Sequence, residues 1–200
     1  MSKKHKRTFS TRALVGRTRA TRDDPDRAQR DRAILRFTAT TIVGVSVFFA
    51  LTRIPFLSIH VVYPYTEFIT RCSRQALRIL GHDVGGEGLL ISGPSFSVLV
   101  QNVCNGLEVT GIFLAATLAF PTTWRTKLIG VALGYPVIFL FNVGRIAALY
   151  LLGFQVPNVF ETVHRYYAQA LVIILTLTIW VFWVMTFTEH GVKARHRVST

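Results

Sequence analysis

The stretch Leu128–Leu152, LIGVALGYPVIFLFNVGRIAALYLL, decides the fold, because it runs for 25 residues with Arg145 as its only charge. A helix of about 20 mainly apolar residues is long enough to cross the hydrocarbon core of a bilayer. The stretch therefore predicts a transmembrane helix. It also raises the question of why an arginine lies inside that helix.

Three other apolar segments extend this prediction to the rest of the chain. Ala33–Thr52 carries only Arg36 and Tyr166–Thr188 carries no charge, so each is long enough to span the membrane alone. Leu107–Pro121 is shorter, has Glu108 near its start, and must borrow length from the polar residues before it. We therefore expect an all-α integral membrane protein with about four spans, near residues 33–52, 104–121, 128–152 and 166–188.

The composition agrees with a membrane protein and excludes other classes. Half of the 200 residues are hydrophobic, while the net charge is +13. A nucleic-acid-binding protein or a disordered basic protein would be less apolar, so no nucleic acid partner is expected. Two cysteines are too few for a disulfide-rich secreted scaffold. The lipid bilayer is thus the first predicted partner.

Residues 1–36 hold most of the positive charge. They contain 12 Lys and Arg against four Asp, a net of +8. Few of the other residues are apolar, and no hydrophobic period is sustained, so the sequence predicts a basic, mostly disordered tail over residues 1–32. We expect this tail to act as a topology signal in the cytoplasm. RNA or lipid binding is the alternative role for it.

The remaining charges orient the membrane domain, which we place at residues 33–188. Arg125 and Lys127 lie between the second and third spans, and more basic residues follow the fourth span in a C-terminal tail, 189–200. By the positive-inside rule both regions are cytoplasmic, so both termini are inside and residues 53–103 are outside. A fifth span near residues 54–70 is an alternative, but it would place the loop basic residues outside.

The outer segment is expected to have its own structure. Thr66–Leu80 is typical of an amphipathic helix with an apolar side and a basic side. The apolar side holds Phe68, Cys72, Ala76 and Ile79, and the basic side holds Arg71, Arg74 and Arg78. Leu89–Ser92 and Ser95–Val100 flank the turn residues Gly93 and Pro94, which predicts a small β-hairpin that leads directly to Cys104.

Two ionisable residues lie inside predicted spans, Glu108 and Arg145. Burying a charge in lipid costs at least about 2.5 kcal/mol, so each is a functional hypothesis by default. Arg145 lies about 10 Å below the outer end of its helix at about 1.5 Å per residue, with Asn142 on the same helix face. The alternative is that Arg145 snorkels, or pairs with Glu108 and locks two helices together.

Cys104, Arg145 and His164 fall on three different predicted spans, all in the outer half of the membrane. A thiol, a guanidinium and an imidazole that converge there fit nucleophilic acyl transfer. The thiolate would attack a carbonyl, the imidazole would move a proton, and the guanidinium would stabilise the oxyanion or hold a carboxylate. Glu108 and Asn142 are supporting candidates, with Glu108 orienting the arginine.

These residues resemble the exosortase/archaeosortase family, and most of all its short exosortase H type. The resemblance rests on the segments Cys104-Asn105-Gly106-Leu107-Glu108, Phe120-Pro121, Trp124-Arg125-Thr126-Lys127, Asn142-Val143-Gly144-Arg145-Ile146 and on His164. The Cys, Arg and His follow one another at intervals of 41 and 19 residues, as they do in the family. The match covers about residues 85–170. Typical exosortases are longer and have more spans on the N-terminal side.

The resemblance implies a membrane cysteine transpeptidase, with Cys104, Arg145 and His164 as its catalytic residues. Its substrates would be exported proteins that end in a short motif, a hydrophobic helix and a basic cluster. It would cleave this sorting signal through a thioester and transfer the protein to a lipid or polysaccharide acceptor at the cell surface. The enzyme would be multi-pass in the inner membrane, with its active site facing the periplasm and without a cofactor.

Other functions fit the sequence less well. A non-catalytic membrane assembly or scaffold protein is the main alternative. Cys104→Ala distinguishes the two, because only an enzyme would lose substrate processing. A thiol oxidoreductase would carry a Cys-x-x-Cys pair, which the chain lacks, although Cys72 and Cys104 could form one outer disulfide. Ser92 and Ser95 lie at a turn and do not match a serine protease. No metal is expected, because no His and Glu residues have a ligand spacing.

Overall fold

The computed structural model describes residues 25–188. Within them the chain is mostly helical with one small antiparallel hairpin, which confirms the predicted fold class. The predicted cytoplasmic tail at 189–200 and residues 1–24 of the predicted basic tail lie outside the described residues. The division into tails and membrane domain therefore stays a prediction.

The first helix, α1, spans Pro25–Arg53 and begins before the predicted end of the basic tail. Residues 25–32, which were assigned to the basic tail, are therefore helical. Proline is favoured at the first helical position, and the Ala, Gln and Arg residues that follow are good helix formers, so charge alone does not prevent a helix there. Hydropathy marks where the apolar residues begin, so it does not show that the helix starts before them.

Three helical stretches of the described chain are long and apolar enough to cross a membrane: Arg27–Arg53, Trp124–Gln155 and Pro157–Phe187. A fourth apolar helix, α4, spans Leu107–Ala119. Its 13 residues extend about 20 Å, less than the roughly 30 Å of a hydrocarbon core. The stretch near 54–70, the alternative fifth span, is not among the three.

The outer segment begins as an unbroken helical run. The short helix α2 (Pro55–Leu57) and a π-helical turn (Ser58–Val62) lead into α3 (Tyr63–Ile79). Of the predicted apolar side, Cys72 and Ala76 pack against buried residues, whereas Phe68 and Ile79 are exposed by 56% and 77%. The buried face consists of Thr66, Ile69, Thr70, Ser73, Arg74 and Leu77.

Hydroxyl side chains explain why α3 buries this face. The hydroxyls of Thr66, Thr70 and Ser73 each donate a hydrogen bond to the carbonyl four residues back. A polar group that is hydrogen-bonded inside its own helix can be buried at small cost. The apolar periodicity that predicted the faces takes no account of this local bonding.

The predicted hairpin is present, with β1 at Leu90–Ser92 and β2 at Ser97–Leu99. The strands pair antiparallel with Ile91 opposite Val98. Arg74 of α3 is only 8% exposed and donates from Nη1 to the carbonyl of Leu90 at 2.7 Å. This arginine, which was predicted on the basic side of the helix, therefore fastens the hairpin to α3.

The long helix α5, Trp124–Gln155, lies at the centre of the fold. One buried cluster joins it to α3 and the hairpin: Ile69, Leu77, Val84, Ile91, Val100, Val143, Ile146, Ala147 and Tyr150. A second cluster joins it to α4 and to α7 (Ala168–Trp183): Val109, Phe113, Ile138 and Val172. Between α5 and α7 lie α6 (Pro157–Thr162) and a π-helical turn (Val163–Tyr167), and a last π-helical turn (Val184–Thr188) follows α7.

Candidate functional site

Cys104 ends a short 3-10 turn, Asn102–Cys104, and does not lie on α4. The second span was predicted to begin near residue 104, whereas α4 begins at Leu107. Gly106 has a φ of 73°, in the left-handed region that favours glycine, and it separates the turn from the helix. A Cβ at Gly106 would also lie 2.8 Å from the amide of Asn142.

A buried polar network fixes the Cys104 turn to α3. Asn105 donates from Nδ2 to the hydroxyl of Thr66 at 2.7 Å, and its Oδ1 accepts from the backbone N–H of Leu107 at 2.8 Å. The Thr66 hydroxyl also lies 3.2 Å from Oδ1 of Asn102. Thr66 and Asn105 are fully buried. Neither was predicted from the sequence as a positioning residue, although Asn105 directly follows the cysteine.

Arg145 of α5 holds the other side of this turn. Its Nη2 donates to the backbone carbonyl of Cys104 at 2.5 Å, and Nδ2 of Asn142 lies 3.5 Å from the same oxygen. Arg145 is only 7% exposed, so its guanidinium stays inside the protein and does not snorkel. Its Nε is buried and has no hydrogen-bond partner.

His164 lies on the π-helical turn before α7 and faces the cysteine. Its Nε2 is 3.3 Å from Sγ of Cys104. The imidazole stacks on the ring of Phe160, with centroids 5.6 Å apart and planes 4° from parallel. Nδ1 of His164 is buried and unpartnered. The stacking and the thiol contact together hold the ring with Nε2 toward the sulfur.

A polar cavity of about 300 Å³ opens beside the cysteine and histidine. Its walls are formed by Cys104, Glu108, Arg145, Glu161, His164, Arg165 and Gln169. Glu108 was a candidate from the sequence, whereas Glu161, Arg165 and Gln169 were not. The signal that could have found them is their position, since they lie three residues before, one after and five after His164 on one helical run.

The acidic residues of this cavity differ in their pairing. Glu161 forms an exposed ion pair with Arg165, one helical turn away. No salt bridge joins Glu108 to Arg145 in the part of the chain that the structure describes. Glu108 thus shares a cavity wall with Arg145 but does not fasten the arginine to α4.

The structure brings Cys104, Arg145 and His164 together around one cavity, with Glu108 on its wall and Asn142 next to the cysteine carbonyl. Such a site can supply a thiol nucleophile, a proton acceptor and hydrogen-bond donors for a developing negative charge. Cys72 and Cys104 are both free thiols. Within residues 25–188, no group of three or more His, Cys, Asp or Glu side chains could hold a metal ion.

Comparison with known proteins identifies the family. Residues 34–184 match the sequence profile described as transmembrane exosortase (Exosortase_EpsH). No curated protein and no solved structure matches the chain. The matched region covers most of the chain and contains the three residues around the cavity. With its three membrane-length helices, the chain is a multi-pass membrane protein that belongs to the transmembrane exosortase family.

Proposed function

We propose that this protein is a membrane cysteine transpeptidase that removes a C-terminal sorting signal from exported proteins. The observation that carries the proposal is the 3.3 Å approach of Cys104 Sγ to His164 Nε2, next to the buried guanidinium of Arg145. Family membership supports the same chemistry. The expected signal is a short motif, a hydrophobic helix and a basic cluster.

The first half-reaction forms a thioester. Nε2 of His164 accepts the thiol proton of Cys104, and the thiolate attacks the carbonyl carbon of the scissile peptide bond. A carbon–sulfur bond forms, and the carbonyl oxygen becomes an oxyanion. The intermediate then collapses as the carbon–nitrogen bond breaks. His164 returns its proton to the leaving amine, and the upstream part of the substrate stays bound to Cys104 as a thioester.

The second half-reaction releases the product. A nucleophilic amine or hydroxyl of a lipid or polysaccharide acceptor, or water, loses a proton to His164 and attacks the thioester carbonyl. The carbon–sulfur bond breaks, and the sulfur leaves as the thiol of Cys104 with the proton that His164 held. The enzyme returns to its starting state, so no oxidant, reductant or cofactor is consumed.

Arg145 is suited to stabilise the oxyanion in both half-reactions. A guanidinium has five N–H donors in a fixed planar arrangement, and Nη2 uses one of them on the Cys104 carbonyl. Arg145 also lines the cavity in which the substrate carbonyl would lie. Donors that are fixed before the reaction stabilise the transition state without reorganisation.

The proposed location is the inner membrane, with the cavity on the periplasmic side. Arg125 and Lys127 lie in the first turn of α5, just after the C-terminal end of α4. Cys104 lies just before the N-terminal end of α4, at the opposite end of that helix. Positive residues stay preferentially in the cytoplasm. This charge distribution therefore supports a cavity that faces outward, where exported substrates arrive.

The proposal is tested with Cys104→Ala. The substrates to follow are tagged exported proteins of the same genome that end in a hydrophobic helix and a basic cluster, with the loss of this tail measured by mass spectrometry. We expect processing to stop while the level of the enzyme in the membrane is unchanged. In the wild type, added hydroxylamine should intercept the thioester and give a C-terminal hydroxamate.

Cys72→Ala is the matched control, because Cys72 is the other free thiol and lies on α3 outside the cavity. We expect this variant to process at the rate of the wild type. Unchanged processing in Cys104→Ala would overturn the proposal and favour a non-catalytic assembly protein.

A further inference from the structure

A second cavity lies directly beside the polar one, between α5 and α7. This α5–α7 groove has a volume of about 730 Å³ and an almost wholly apolar lining. Phe141, Gly144 and Ala148 line it from α5, and Tyr167, Leu171 and Ile174 line it from the other side. Because the lining of α5 recurs every three or four residues, the groove follows the helix axis.

Gly144 differs from the other glycines of α5 in what it faces. A Cβ added at Gly130, Gly134 or Gly153 would lie within 2.5 Å of an aromatic ring of the protein itself. A Cβ added at Gly144 would meet nothing within 4 Å. An aromatic ring of the protein thus fills the space beside each of the other three glycines, whereas no atom of the protein fills the space beside Gly144.

The part of α5 around Arg145 is exposed at only two positions. Between Asn142 and Tyr150, Gly144 and Ala148 are the exposed residues of α5 and the others are buried. Two small residues four apart let a second helix approach closely, and such pairs are enriched where membrane helices pack. Lipid chains are as apolar as leucine, so burying Leu-like surface gives no driving force there, whereas close helix packing does.

Arg145 connects the groove to the polar cavity, since its side chain lines both. It is more than nine-tenths buried, and its Nε has no partner. Because the two cavities meet at Arg145, a peptide whose scissile carbonyl lies at Cys104 would pass this residue, and its continuation would enter the groove.

We propose that the α5–α7 groove binds the hydrophobic helix of the sorting signal, packed on Gly144 and Ala148, with the scissile carbonyl at Arg145. This inference rests on the proposed function and adds the place where the substrate helix is held. The helix would then be bound before cleavage and released from the groove after it.

The packing is tested by filling the groove. Ala148→Leu and Gly144→Leu place a larger side chain on the open face, and neither position is crowded within the protein. Ala132→Leu is the matched control, because Ala132 is exposed on the same helix outside the groove. We expect the two groove variants to lower processing of the tagged protein about tenfold, equal to about 1.4 kcal/mol, and the control to leave it unchanged.

A thiol-labelling experiment keeps a folding defect apart from a binding defect. In a Cys72→Ser background, Cys104 is the only thiol, and a small maleimide should label it equally in the groove variants and the control. If Cys104→Ala stops processing but Ala148→Leu processes like Ala132→Leu, the groove inference fails and the proposed function stands. If Cys104→Ala has no effect, the proposed function itself fails.

Photo-cross-linking identifies the occupant directly. A benzophenone amino acid replaces Ile174, which lines the groove, or Ile173, its exposed neighbour that does not. In the Cys104→Ala background we expect the tagged protein to cross-link at position 174 and not at 173. Cross-linking at 174 to lipid alone, or to a second copy of the enzyme, would overturn the inference.

Discussion

Two buried arginines hold backbone carbonyls in two regions of this protein. Arg74 of α3 is 8% exposed and bonds the carbonyl of Leu90 in the hairpin, and Arg145 of α5 is 7% exposed and bonds the carbonyl of Cys104. The two side chains have the same charge and nearly the same burial. Their surroundings differ, and this difference separates a structural arginine from a candidate catalytic one.

The hairpin region is closed. Ile69, Leu77 and Ile91 are fully buried next to Arg74, and no buried nitrogen of this arginine lacks a partner. The Cys104 region is open, since Arg145 faces two cavities. Nε of Arg145 and Nδ1 of His164 are buried there without partners. Unpartnered buried atoms also occur away from this region, for example at Thr117 and Thr176, so the two cavities are what mark it as a candidate binding site.

The largest effect is expected from Arg145. Arg145→Ala and Arg145→Lys should both lower processing of the tagged substrate by about 100-fold or more, because the ammonium of lysine lacks the rigid planar fork of donors that a guanidinium provides. The measurement is the rate of tail removal, corrected for the amount of enzyme in the membrane. Normal rates in both variants would remove the arginine from the mechanism and make the two regions equivalent.

The next effect is expected from His164. His164→Ala should lower processing by about 100-fold, within the range for loss of a general base, and leave residual activity from the thiol. The double variant with Arg145→Ala should be little worse than Arg145→Ala alone, because residues that act on one transition state are not additive. Fully additive losses would show that the two residues act independently.

The smallest effect on catalysis is expected from Arg74. Arg74→Lys should lower the free energy of unfolding by about 1–3 kcal/mol, because hairpin carbonyls lose a buried donor. The rate of processing per folded molecule should stay at the wild-type value. Thermal unfolding in detergent measures the first quantity, and processing by the folded fraction measures the second. A loss of activity without a loss of stability would contradict the comparison.

Much of this architecture could be predicted from local sequence. The apolar segments became helices, and Gly93 and Pro94 lie in the loop between the two short strands. Hydropathy and turn chemistry are properties of neighbouring residues, so a single sequence shows them directly. Arg145 could likewise be recognised as the only charge in the apolar segment Leu128–Leu152, and the structure places it beside Cys104 and His164.

The failed predictions share a cause. The burial of polar residues on α3 was not predicted, because Thr66 and Ser73 bond their own helix backbone and Arg74 bonds the hairpin. Cys104 was placed on a helix because its sequence does not reveal that Asn105 bonds Thr66 from 39 residues away. Each error involves a polar group whose partner lies on another element or on the backbone, and hydropathy cannot represent such a partner.

The sequence alone therefore determined the class of the protein. It is a basic, apolar chain, and its long apolar segments can satisfy their backbone hydrogen bonds inside a bilayer only as helices. It also named the three residues of the candidate site by type and spacing. Only the tertiary structure decided that one buried arginine closes a hairpin while the other opens onto two cavities, and that the space before Gly144 is unfilled. Those properties depend on which side chains meet across the fold, and that is set by packing between helices that are distant in sequence.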